Sequence, residues 1–199
     1  MKSLIKMLWV LTLALTINPL FASDNDPSWK LEPMGAKSFA VYLDFPVECT
    51  AHIRIKDTKG ITVLKKRYRN VTNLSRKINL VNLPDGTYFV EVEDRMKIHA
   101  FTIEMAGERL NIKRRPEKDY FKPLFVQKGK YVDMCMLLLP EKEATVSVFS
   151  SEGRLVMQQF IKDQNTIEKR FNVSGLQKGT YSFVVSTGEK TFAQSLSIK

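Results

Sequence analysis

The segment from Ala51 to Val63 returns 93 residues later as Ala144 to Val156, with the alanines, the central glycines Gly60 and Gly153 and the closing valines in register. The same offset carries Asn79 onto Asn172, Leu83 onto Leu176, Gly86 onto Gly179, Tyr88 onto Tyr181 and Val92 onto Val185 without a gap. Upstream it sets Val41, Leu43 and Phe45 against Met134, Met136 and Leu138; downstream the second copy reads as carrying about two extra residues near Thr187 and Gly188. A register kept this long marks the duplication of one structural unit. Whatever the chain folds into must therefore fit twice into 199 residues.

Each copy reads as β. Apolar residues alternate through Phe39, Val41, Leu43 and Phe45, then Ala51, Ile53 and Ile55, then Ile78 and Leu80, then Tyr88, Val90 and Val92, a period of two with no competing helical stripe. The segments are separated by turn chemistry: Asp57 to Gly60 and Ser151 to Gly153 read as hairpin turns with glycine at positive φ, and Pro84-Asp85-Gly86 and Gln177-Lys178-Gly179 read the same way before the tyrosine strand. Six or seven short strands per copy, spaced by turns, predict an all-β chain of two tandem small antiparallel sandwiches, Ig-like or fibronectin-III-like by analogy. The polar, glycine- and proline-bearing stretch between the copies reads as a linker. The expected division is a signal peptide at 1–23, a first module at 24–112, a linker at 113–125 and a second module at 126–199.

The second copy carries Val146, Val148, Gly153, Arg154 and Val156, then Leu176, Gly179 and Tyr181, then Gly188 and Lys199. In these positions residues 126–199 resemble the C-terminal sorting domain of the type IX (Por) secretion system, a small Ig-like sandwich that carries a passenger across the outer membrane. The resemblance implies contact with outer-membrane secretion machinery. The family's usual opening, Tyr-Pro-Asn-Pro, is absent, since Lys122-Pro123-Leu124-Phe125 stands in its place. The residues of the motif in both copies, Gly60, Gly86, Tyr88, Gly153, Arg154, Val156, Leu176, Gly179 and Tyr181, read chiefly as scaffold: glycines for turns, and tyrosines with buried rings whose hydroxyls tie down a loop.

The first residues set the compartment. Lys2 and Lys6, the apolar run from Met7 to Leu15, the break at Asn18-Pro19 and the small residues before Asp24 form a secretory leader, too short to span a bilayer. The expected destination is the periplasm, the cell surface or the medium, with no transmembrane span in the mature chain. Losing Lys2 and Lys6 takes the basic residues from 31 to 29 against 21 acidic ones, and the net charge from +10 to +8.

The inventory of chemistry is short. His52 and His99 lack a second imidazole at ligand spacing, and no nucleophile elbow is present, so neither a metal, a cofactor nor an enzymatic activity is expected. Cys49 and Cys135 fall at non-equivalent places in different copies, and their pairing stays open. The charge concentrates in Lys65, Lys66, Arg67 and Arg69 and in Lys113, Arg114 and Arg115, which are candidate polyanion contacts or cations that guard strand edges. Nucleic acid is not an expected partner, because no stacking platform accompanies the charge. The reading that follows is an exported, non-enzymatic envelope or surface protein that binds a protein or glycan; the alternative makes the second module a type IX sorting signal with the first as its passenger.

Overall fold

A computed structural model describes residues 28–113, 116–139 and 141–199. Every regular element among them is a strand, and all pairings are antiparallel. The first copy holds β1 (Ser28–Pro33), β2 (Ser38–Lys56), β3 (Thr62–Asn79), β4 (Gly86–Glu93), β5 (Lys97–Ala106), β6 (Arg109–Ile112) and β7 (Lys118–Phe121). The second holds β8 (Leu124–Lys128), β9 (Tyr131–Leu137), β10 (Ala144–Ser150), β11 (Leu155–Ile161), β12 (Thr166–Asn172), β13 (Gly179–Ser186) and β14 (Thr191–Ile198).

The duplication is visible in the hydrogen-bond register. Adding 93 to both partners turns Ser38↔Asn79 into Tyr131↔Asn172 and Ala51↔Tyr68 into Ala144↔Ile161. The same step turns His52↔Glu93 into Thr145↔Ser186 and Gly86↔Met105 into Gly179↔Ile198. Irregularities are inherited too: a register shift between Ile55 and Lys56 recurs between Val148 and Phe149, and Asn70 and Asp163 both sit at φ 54°.

The pairing also removes the two extra residues read near Thr187 and Gly188. Glu93↔Ile98 and Ser186↔Thr191 close hairpins of equal length, with Asp94 N–H donating to Lys97 O at 3.0 Å and Thr187 N–H to Lys190 O at 2.8 Å. Only the residue types differ in this turn, which hid the match.

The second copy packs a four-stranded sheet, β11-β10-β13-β14, on a three-stranded one, β12-β9-β8. In the first copy the strands that correspond to β9 and β10, and to β11 and β12, are continuous: β2 runs 19 residues and β3 runs 18, crossing from one layer to the other and joining them into a seven-stranded sheet. The expectation of uniformly short strands therefore fails for this copy. The alternating apolar residues enclose one core per copy. Phe39, Val41, Leu43, Ile53, Val90 and Phe101 lie in the first, and Val132, Met134, Val146, Ile167, Phe183 and Val185 in the second.

The segment 113–125 is not a free linker. Lys118–Phe121 pairs with β5 of the first copy, and Leu124 already belongs to β8 of the second, so the strands of the two copies are separated by Lys122 and Pro123 alone. Pro116 and Pro123 flag breaks in regular structure, and the four-residue strand between them is too short to show a period.

Candidate interaction edge

The motif residues divide into scaffold and surface. Tyr88 O–H donates to Pro84 O at 2.9 Å and Tyr181 O–H to Gln177 O at 3.0 Å, each ring being buried in its core. Each hydroxyl thus ties down the loop four residues back, as a tyrosine corner does. Gly60 and Gly153 have φ of 80° and 77°, and each donates its N–H three residues back, to Asp57 O and Ser150 O. Leu176 packs against the core and closes a turn with Val173. Arg154 and Val156 are instead exposed, with Arg154 paired to Glu152, so they are not packing residues. Gly179 also departs from expectation. Gly86 has φ of 147°, but its counterpart lies outside the positive-φ region and needs no glycine for backbone reasons.

The copies differ most along their last shared strand. On β5 the inward row is His99, Phe101, Ile103 and Met105, all buried. Outside it lie β6, paired through Ile103↔Ile112 and Met105↔Leu110, and β7, paired through Ile98↔Tyr120 and His99↔Asp119. Leu110 and Ile112 pack on the core from there. His99 donates from Nδ1 to Asp119 Oδ1 at 2.6 Å, and its ring lies 4.1 Å from that of Trp29, which spends the imidazole on holding β7. The equivalent row on β14 is Phe192, Gln194, Leu196 and Ile198, of which only Ile198 is buried and Gln194 is exposed. Among the described residues β14 pairs with β13 alone, so its other edge offers unpaired backbone N–H and C=O groups.

A charged junction joins the copies, and the sequence reading missed it. Glu91 points out of β4 yet is buried; it accepts from Lys190 Nζ of the second copy at 2.6 Å, from Lys56 Nζ at 2.8 Å and from Arg54 Nε at 3.2 Å. Burial alone would raise its carboxyl, but the hydrogen bonds from Lys190 and Lys56 outweigh this and bring it down to about 2. Beside it Tyr120 O–H and Lys118 both donate to the Glu189 carboxylate, and Lys190 lies 4.7 Å over the Tyr120 ring. Burial and then the Glu189 hydrogen bond push the Tyr120 phenol upward. Glu141 receives the N–H groups of Gly188 and Glu189 at 2.6 and 3.0 Å. The signal was present in the repeat: Glu91 stands where the second copy has Val184, a charge at a position that is apolar in the other copy.

Two stretches of the chain, residues 37–104 and 131–199, match the family described as the secretion system C-terminal sorting domain. The chain belongs to that family. Its members are sorting domains, so this chain is an exported protein bearing the fold of a sorting signal twice, with secretion machinery as an implied partner. No curated protein matches it. Among solved structures, a domain titled "Biofilm associated protein - BSP domain" is similar at 15% identity and TM-score 0.30, over 84% of this chain and 29% of that one. The chain thus spans under a third of that structure's length.

Within this family member the basic run lies on β3, with Lys65, Lys66, Arg67 and Arg69 all exposed. Arg54↔Lys65, Ile53↔Lys66 and His52↔Arg67 are successive pairs, so alternation sends Lys66 to the face opposite Lys65 and Arg67. This half of β3 pairs only with β2 among the described strands. Lys113 is bound to Glu117 at 2.8 Å, while Arg114, Arg115 and the expected leader 1–23 lie outside the described residues. Cys49 is a half-buried thiol against the first core, raised by burial and then by Asp94, and Cys135 is an exposed thiol on β9. Among the described residues no cluster of three or more His, Cys, Asp or Glu is placed to hold a metal ion.

Proposed function

We propose that the two copies have divided the work: the second module, 126–199, is read by the secretion machinery as the sorting signal, and the first is the passenger it delivers. The chain acts without catalysis. The supporting observation is the difference between the last shared strands. β14 keeps an open edge in the second copy, whereas β6 and β7 cover the same edge in the first, so at this matched position only the second copy offers its strand to a partner. Extended edges are recognised by main-chain hydrogen bonding with side-chain pockets for specificity.

Once delivered, the first copy has the exposed cations of β3 as its contact with anionic glycan or protein of the envelope. That reading predicts salt-sensitive retention on an anionic glycan column, and equal retention after Lys65, Lys66, Arg67 and Arg69 are neutralised contradicts it.

The sorting role is tested by placing an unrelated folded reporter, behind the native leader, ahead of residues 122–199 and following it in the native host. Appearance of the reporter outside the outer membrane is the expected result. Retention of the reporter inside while the full chain is exported contradicts it, as does continued export of the first copy after deletion of residues 126–199.

A further inference from the structure

The first copy shows what a covered edge looks like, and this specifies the missing partner of the second. On β5, β6 supplies two aliphatic side chains at alternate positions, Leu110 opposite Met105 and Ile112 opposite Ile103. Their counterparts on β14 are Ile198 and Leu196. Where Ile103 is fully buried, Leu196 is half-buried, and where Phe101 is buried, Gln194 faces solvent. From Gln194 onward the stretch Gln194-Ser-Leu-Ser-Ile198 carries no charge to repel an incoming strand, and it lacks the edge-guarding cations that β3 shows.

We infer that β14 accepts an extended segment of a partner protein, added antiparallel across Gln194–Ile198, with two aliphatic residues in an aliphatic-x-aliphatic pattern facing the core. The segment takes the place β6 takes in the first copy: its backbone completes the ladder, and its two side chains close over Leu196 and Ile198. Positions between the aliphatic pair face solvent and tolerate polar residues, as Asn111 does between Leu110 and Ile112. The partner is another protein and not a second copy of this chain. That choice follows from the export reading, in which secretion machinery is the implied partner; a second copy would offer the same pattern in Leu196-Ser197-Ile198 and is the outcome that sedimentation detects. This inference rests on the second module being the one recognised in export.

The test uses the full-length mature chain and a fluorescent peptide with the sequence of residues 107–113, Gly-Glu-Arg-Leu-Asn-Ile-Lys. Fluorescence anisotropy is predicted to show saturable binding, at least tenfold weaker for a peptide with both aliphatic residues replaced by serine. Gln194→Lys, at a site already exposed, sets an inward-pointing charge on the edge and is predicted to weaken binding at least tenfold while circular dichroism and thermal midpoint stay unchanged. Binding should also slow amide exchange within Gln194–Ile198.

No binding at millimolar protein, or equal binding to the serine peptide or to Gln194→Lys, overturns the inference. So does a concentration-dependent dimer, seen by sedimentation, that Gln194→Lys abolishes while the peptide does not compete. Normal export of Gln194→Lys together with loss of peptide binding overturns the inference and leaves the sorting reading standing. Unaffected export after deletion of residues 126–199 removes the reading itself.

Discussion

β5 and β14 occupy the same place in the two copies, pair with their neighbours in the same register, and live in different surroundings. The inward row of β5 is buried throughout; the inward row of β14 is exposed at Gln194 and half-exposed at Phe192 and Leu196. Duplication fixed the ladder, and what lies outside the ladder then decided which residues were kept. A phenylalanine under two covering strands is stabilised by burial, while at an open edge the same position carries an amide. The contrast shows that register and exposure are separate properties of a repeat, and that the second carries the functional difference.

The largest way to break this comparison is at that position. Phe101→Ala should cost about 3–5 kcal/mol through lost burial and the cavity left behind, whereas Gln194→Ala should stay within about 0.5 kcal/mol. Chemical denaturation of both variants checks the pair, and similar costs would mean that β14 is covered after all.

Next comes the junction, where Glu91 corresponds to Val184. The folded-state value of Glu91, about 2, lies below its ordinary 4.5, so its contribution is present above pH 4.5 and fades as the pH falls towards 2. A depression of this size corresponds to about 3 kcal/mol between the two protonation states. Glu91→Gln should therefore lower stability by about 2–3 kcal/mol at pH 6 and by progressively less below pH 4.5. Val184→Ala should show no such dependence. Thermal midpoints measured from pH 6 to pH 2.5 decide it, and a Glu91→Gln deficit that does not shrink in acid contradicts the junction.

A smaller effect separates the glycines. Gly86→Ala forces a side chain into φ of 147° and should cost about 1–3 kcal/mol. Gly179→Ala, whose added Cβ meets nothing nearer than Tyr181 Cε2 at 4.0 Å, should be neutral or stabilise by up to about 0.5 kcal/mol. Smallest is the difference expected between the tyrosine corners: Tyr88→Phe and Tyr181→Phe each lose one hydroxyl bond and should each cost about 1 kcal/mol. Unequal losses would show that the loops are held differently in the two copies.

Much of this fold was legible because its causes are local. Alternation placed Val41, Ile53, Val90 and Val92 inside, and the repeat doubled every such reading. The tyrosine loops followed from a buried ring that needs a partner for its hydroxyl. Four things were not legible, each for a physical reason. The strand at Lys118–Phe121 is too short to show a period, and its pairing with β5 is a long-range event. The role of Glu91 depends on Lys190, 99 residues away, so the repeat marks the position by its mismatch with Val184 but no local pattern names the partner. Gly86 and Gly179 look alike in sequence, yet only the backbone around them reveals that one needs glycine and the other does not. The candidate edge was legible least of all, because it is defined by what is missing beside β14. Its one trace was the exchange of Phe101 for Gln194 at a matched position.

Residue-resolved amide hydrogen exchange on the full-length chain tests the central claim most directly, since an edge strand has partners for only every second backbone N–H. Uniformly slow exchange is predicted along Ile98–Ala100 and Ile103–Met105 of β5, which have β7 and β6 on their outer side, with alternating slow and fast exchange along Thr191–Ile198. Uniform protection along β14, matching that of β5, would contradict the account.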